Sequence, residues 1–250
     1  MNRTAFFLTS AVFVFLFAMN CFPAPAFSAD AEDPYADILS DLEEEEQPLI
    51  KISDPLYYWN KGMFHVNDKL YFWVLKPVAG GYKTVTPEPV RNGIRNFFSN
   101  LLTPVRFANC ILQGKTERAG VELGRFMVNT VVGVGGFGNP ADREPSLKKV
   151  PEEDFGQTLA VYGVGNGFYI VMPLLGPSSL RDTAGSAGDS YISPLSYVDT
   201  GAAMGLRAVD TVNGVSFRIG DYEALKNAAV DPYEAFRDAY IQNREKKIRE

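Results

Sequence analysis

The sequence predicts a mainly α chain with irregular, glycine-rich connections. Apolar residues recur three or four positions apart over long stretches. A small polar residue precedes proline at Asp54-Pro55, Thr103-Pro104 and Asp231-Pro232. That pairing suits a helix start, where a side-chain acceptor caps free N–H groups and proline fits the first turn. Strands at regular short intervals, which a β-barrel needs, are absent. The 250 residues allow one large domain or two small ones, and an apolar content of 46% suffices for a core.

Residues 1–21 form a secretory signal. Arg3 supplies the positive start, and Ala5 to Met19 is an uncharged, mostly apolar run too short to cross a bilayer. Cys21 is a candidate lipidation site, although Asn20 before it is larger than a lipoprotein signal favours. Cleavage near Ala24-Pro25-Ala26, Ser28 or Ala29 would extend the signal to residue 29. Residues 22–53 are an acidic leader, expected to be disordered. It holds nine acids and no base between residues 30 and 46, which leaves residues 47–250 at about +2. A nearly neutral body argues against nucleic acid, whose phosphates need a concentrated basic face. Cys110 is the second of two cysteines, so no disulfide framework exists.

Residues 54–250 are the helical body. The stretch from Asp54 to Lys76 is crowded with rings, among them Trp59, Phe64, Tyr71, Phe72 and Trp73. Their apolar bodies and polar edges suit a membrane–water interface, and a soluble aromatic core would use them equally. Asn60, Lys61, Asn67, Asp68 and Lys69 prevent a reading as a spanning helix. A second helix follows from Val90 to Leu102, and the pattern resumes after Thr103-Pro104 until Gly114 stops it. Thr116 starts a third, ending near Val132, with Leu123, Met127 and Val131 on one face. Its Gly120 and Gly124 would let another helix approach closely. Glycine-rich segments at 133–138 and 163–167 flank a polar connection, and the apolar run from Phe168 to Pro177 is a short strand or a buried extended segment. Residues 201–219 carry a weaker helical period. The last helix places Tyr233, Phe236 and Tyr240 on one face.

Catalytic chemistry is poorly represented. Gly133, Gly135 and Gly138 match a dinucleotide fingerprint by letter, but a helix precedes them and Asn139-Pro140 follows, so no βαβ unit exists to use it. Ser186 and Ser190 sit in faint hydrolase-like contexts, yet Ala184 stands where a nucleophile elbow needs glycine. His65 is the sole histidine and reads as packed or interfacial. One histidine and at most one free cysteine cannot form a usual metal shell, and no cofactor is implied.

Several segments, in order, resemble the MlaA (VacJ) family: NDKLYFWVLKPVAGGY, PEPVRNGIRNFFSNLLTPVRFANCILQGK, GRFMVNTVVGVGGFGNPA, DFGQTLAVYGVGNGFYIVMPLLGPSSLRD and DPYEAFRDAY. The likeness runs from about Asp54 to Tyr240. It implies a ring-like helical bundle lying in the periplasmic leaflet of the outer membrane of a Gram-negative bacterium. Such a ring encloses a central amphipathic channel that removes misplaced phospholipids from the outer leaflet and so maintains lipid asymmetry. The resemblance further implies a periplasmic lipid-carrier protein, an inner-membrane transporter and a trimeric porin as partners. Gly133, Gly135, Gly136, Phe137 and Gly138 match the family's glycine-rich hairpin beside the channel. Asn67 and Asp68 match its early Asn-Asp pair. A non-enzymatic phospholipid channel is therefore the leading expectation. An exported lipid hydrolase and a structural membrane tether without a lumen are the alternatives.

Overall fold

A computed structural model describes residues 53–250. The secretory signal, Cys21 and all of the acidic leader but its last residue lie outside the described residues. Helix α1 (Tyr57–Leu70) continues through a π turn (Tyr71–Leu75) into α2 (Lys76–Val85). Then come α3 (Glu88–Leu112), α4 (Thr116–Val131), two 3-10 turns (Pro140–Arg143 and Pro145–Leu147) and α5 (Phe155–Val161). The antiparallel pair β1 (Tyr169–Met172) and β2 (Gly176–Ser179) sets Tyr169 opposite Ser179. Helix α6 (Leu180–Ile192), a 3-10 turn (Pro194–Tyr197), α7 (Thr200–Phe217), α8 (Asp221–Ala228) and α9 (Pro232–Arg249) complete the body. The fold is mainly α, as the sequence predicts.

The packing closes on itself. Helix α1 leads through the π turn to α2, α2 rests on α7, α7 on α3, and α3 on α6. Helix α6 then meets β2, and β1 returns to α1. Helix α4 lies along α3 outside this circuit, and α9 joins α5, α8 and β2.

Two asparagines fasten the junction of α1 with β1. Asn60 donates to the carbonyl of Tyr169 at 3.0 Å and accepts from the N–H of Val171 at 2.8 Å. Asn67, two turns later on the same face, donates to the Met172 carbonyl at 2.8 Å and accepts from the Leu174 N–H at 2.7 Å. A carboxamide offers both donor and acceptor, so each side chain serves the strand edge as a neighbouring strand would. Asp54, which the sequence suggests as a helix cap, does other work. The helix begins at Tyr57, while Asp54 accepts from Asn60 Nδ2 at 2.7 Å and from the Tyr233 hydroxyl at 2.5 Å. Tertiary partners have taken the oxygens that would have capped.

Pro104 lies inside a continuous helix rather than starting a new one. Proline removes a backbone donor and crowds the preceding turn. The Arg106 guanidinium donates to the Ser99 carbonyl at 3.0 Å and to the Thr103 hydroxyl at 3.0 Å, which braces the turn that precedes the proline. The glycines of α4 do not serve a helix pair. A Cβ on Gly124 would lie 2.7 Å from Leu147 Cδ2, so this glycine receives the second 3-10 turn, and Gly120 faces open space.

The apolar core is an aromatic knot between α1, β1 and α9. Tyr169, Val171 and Tyr233 are buried there, with Tyr57, Phe64 and Tyr240 packed against them. The predicted face of the last helix is thus correct. Behind it Arg244 binds Asp154, the N-cap of α5, at 2.5 and 2.6 Å, and Asp182 of α6 at 2.9 Å. Cys110 is fully buried, and burial pushes its thiol up to about 11.

Asn60→Ala strands the Val171 N–H and the Tyr169 carbonyl. An expected loss of about 2–5 kcal/mol follows from two buried groups left unpaired. Chemical denaturation of the detergent-solubilised body checks it, and a loss below about 0.5 kcal/mol would refute the stitching role. Asp189 gives a pH dependence. Burial pushes its carboxyl up to about 6, against bonds from the Phe155 N–H and Asn109 that favour the charged form. The folded state then holds this proton more tightly than the unfolded chain. The contribution is full below about pH 4 and is lost as pH rises through about 6. Melting curves of Asp189→Asn should show a flatter stability profile across that window than the parent protein.

Candidate functional site

Helix α4 is built inside out. Its buried side carries Glu122, Arg125 and Asn129, which are 3%, 8% and 8% exposed. Its open side carries Leu123, Met127 and Val131, at 44%, 59% and 79%. The fourfold spacing that reads as a helix face in the sequence is real, but it faces outward. Neighbouring helices repeat the inversion in part. Helix α3 buries Arg91, Ser99, Asn100, Thr103 and Asn109 beside Phe98, Leu102, Val105 and Cys110, while Val90, Ile111 and Leu112 are exposed. Helix α1 buries Asn60 and Asp68 while Tyr58, Trp59 and Val66 are exposed, and α7 buries Asn213 and Ser216 while exposing Val209. Among the described residues, buried polar and charged side chains outnumber buried apolar ones. Water-soluble domains do the reverse, since apolar burial drives their folding. No described helix is long and apolar enough to cross a membrane.

Several of the buried polar side chains pair with one another, although Asn100 Oδ1 and Arg91 Nε are buried without a hydrogen-bond partner. Glu122 bonds Arg106 at 3.0 Å, and burial raises its pKa against the pull of that guanidinium. Arg125 bonds Asp142 at 2.6 Å and the Leu147 carbonyl at 2.6 Å. Asn213 accepts from the Tyr82 hydroxyl and donates to the Arg91 carbonyl.

The glycine segment is a helix-terminal turn rather than a pair of strands. The N–H groups of Gly135 and Gly136 return to the carbonyls of Thr130 and Asn129, closing the end of α4. Val134, Gly135 and Gly136 all have positive φ, at 56, 70 and 91°. Gly136 presses on α3, where an added Cβ would lie 2.6 Å from that of Asn100, whereas one on Gly135 meets nothing. Gly133 and Gly138 back onto each other across the turn. Phe137 stacks on Phe97 of α3 at 4.9 Å, and Asn96 donates to its carbonyl at 3.3 Å. Two recesses flank the loop. One is an apolar groove of about 640 Å³ between the loop and the start of α3, walled by Val90, Ile94, Val132 and Phe137, with Arg143 as its one charged lining residue. The other is a narrow polar cleft between α3 and α4 that includes Asn96, Asn100, Arg106, Glu122 and Arg125. Both touch Asn139.

The remaining sequence candidates fall elsewhere. Asn67 and Asp68 have their partners on the β1–β2 turn and on α8. Asp68 accepts from the Tyr222 hydroxyl at 3.0 Å and from Lys226 at 2.5 Å. Trp59 and Trp73 are exposed. Phe64, Tyr71 and Phe72 turn inward, the first against Tyr233 and Phe236, the others against Tyr222. Tyr71 also donates to Glu223 at 2.9 Å. The hydroxyls of Ser186 and Ser190 are spent on carbonyls of their own helix, at 2.9 and 2.6 Å, and His65 is exposed on α1. Sequence reasoning passed over Asp210. This lone acid in the apolar run of α7 has its carboxyl pushed up to about 7 by burial. The signal was available in its isolation between Val209 and Val212.

A model of the family described as MlaA lipoprotein matches residues 52–247. The chain belongs to the MlaA lipoprotein family. The intermembrane phospholipid transport system lipoprotein MlaA of Escherichia coli K12 is 35% identical over 194 residues, 76% of each chain. The Haemophilus influenzae protein of the same name is 35% identical over 177 residues, 70% of each. A solved structure, described under "Structural basis for maintenance of bacterial outer membrane lipid asymmetry", superposes with a TM-score of 0.71 at 35% identity. It spans 78% of this chain and 99% of the other. The matched residues cover nearly all of the described helical body.

The glycines of the MlaA loop separate by substitution to alanine. Gly136→Ala combines a positive φ with a collision and should cost about 2–4 kcal/mol. Gly135→Ala meets only the backbone preference and should cost about 1 kcal/mol. Thermal melting of both variants checks the order, and equal losses would refute it.

Proposed function

We propose that this protein is a phospholipid channel of the outer membrane. The helical circuit sits in the periplasmic leaflet, takes up phospholipids misplaced in the outer leaflet, and passes them to a periplasmic carrier, so that lipid asymmetry is kept. The inverted burial of α4 and its neighbours carries this reading. Apolar faces outward suit hydrocarbon, and a polar interior suits the transit of a headgroup. A charged headgroup is costly to move through hydrocarbon, and bonded amides and guanidiniums along the way lower that barrier. The exposed Trp59 and Trp73 suit the interfacial depth of such a body.

The named relatives belong to an intermembrane phospholipid transport system, which supports the same substrate and membrane here. A trimeric porin as scaffold and a soluble lipid carrier complete the proposed path, with Cys21 as the lipid anchor. Transport down a gradient of affinity needs no bond-making at this protein. The spent hydroxyls of Ser186 and Ser190 support a non-enzymatic role over lipid hydrolysis.

Deleting the gene should place phospholipid in the outer leaflet, read by outer-leaflet acylation, and sensitise cells to detergent with chelator. Supplying the intact chain should reverse both. Unchanged asymmetry in the deletion strain would sink the transport reading. Release of radiolabelled fatty acid by the purified protein would instead favour the hydrolase.

A further inference from the structure

We infer that the groove between the first turns of α3 and the glycine loop holds one phospholipid. One acyl chain lies along Val90, Ile94 and Phe137, and the phosphate rests on Arg143. The inference depends on the lipid-embedded reading above and adds a site to it.

The groove has the size of a ligand site, since about 640 Å³ falls within the roughly 300–1,000 Å³ usual for such recesses. Its walls are apolar and stiff. Phe137 is fixed by its stack on Phe97 and by the bond from Asn96 to its carbonyl. Gly93 forms the floor, where a Cβ would already stand 3.5 Å from the Phe137 carbonyl oxygen. The lip is formed by Val132 and Val134, which are exposed beside the outward stripe of α4. A recess opening among lipid-facing valines is filled more favourably by a hydrocarbon chain than by water, which would forfeit hydrogen bonds there.

Arg143 decides the class of occupant. It is exposed on the Pro140–Arg143 turn and lines the groove. Its acidic neighbours in sequence are committed elsewhere. Asp142 bonds Arg125 and Asn139 at 2.6 Å each, and Glu144 accepts from the Ser146 hydroxyl at 3.0 Å. Arg143 has no ion pair or hydrogen-bond partner among the described residues. A planar guanidinium at the mouth of an apolar groove fits a phosphate bidentately. A phospholipid satisfies the cation and the groove together, whereas a neutral diglyceride satisfies only the groove.

The test uses the mature protein in nanodiscs containing phosphatidylglycerol with a diazirine on one acyl chain. A diazirine-bearing diacylglycerol serves as the phosphate-free probe. After illumination, mass spectrometry should map phosphatidylglycerol adducts to Val90, Ile94 or Phe137. Arg143→Glu should lower that yield about tenfold, as loss of a charge-assisted pair predicts, and should leave diacylglycerol labelling unchanged. This exposed substitution is not expected to disturb folding, and melting temperature checks that. Equal phosphatidylglycerol labelling in the parent and Arg143→Glu proteins would overturn the inference. So would adducts confined to the outward face of α4. Groove labelling in a chain that fails to restore asymmetry would uphold the site while refuting transport.

Discussion

Everything in this structure depends on pairing polar side chains with one another where most proteins bury hydrocarbon. An unpaired donor or acceptor in an apolar surrounding forfeits several times what a net hydrogen bond contributes. At its main junctions the chain meets that constraint with side chains that bond in two directions. Asn60 and Asn67 each satisfy a donor and an acceptor on the hairpin. Arg125 spans the Leu147 carbonyl and Asp142, and Arg244 clasps carboxylates from two elements. Such networks specify one arrangement because a shift of any member strands the rest.

The same constraint explains why the helical circuit holds without a large apolar centre. Its aromatic knot occupies only the seam of α1, β1 and α9. Elsewhere cohesion comes from matched polar contacts, from close approaches such as Gly136 on Asn100, and from caps such as Asp231, whose carboxylate receives the Tyr233 N–H at 2.9 Å. The glycine loop sits where these devices meet. Its backbone closes α4, its Phe137 leans on α3, and its two sides face recesses of opposite polarity. An amphiphile has the same division.

Much of the helix layout was legible in the sequence, because spacing of apolar residues records a periodicity whatever it faces. Residues 116–131 and 232–249 were readable for that reason, as was the aromatic face of the last helix. What periodicity cannot record is direction. Leu123, Met127 and Val131 form a stripe whether it points inward or outward, and only the burial of Glu122 and Arg125 reveals which. Pro104 misled because the brace on the turn before it, Arg106 on the Ser99 carbonyl, acts through space. Asp54 misled because distant Tyr233 claims its oxygen. The family resemblance drew attention to Asn67 and Asp68, whose role as fasteners became visible only with the hairpin and α8 in place. Arg143 carried no local signal at all. Its interest lies in what its neighbours already hold.

The outward valines and leucines have a consequence before the protein reaches its destination. Between export and insertion, the folded body would present sticky patches to the aqueous periplasm and to its own copies. A chain of this design therefore calls for an escort that shields those patches in transit, and overproduction beyond that escort's capacity should yield clumped rather than dispersed material.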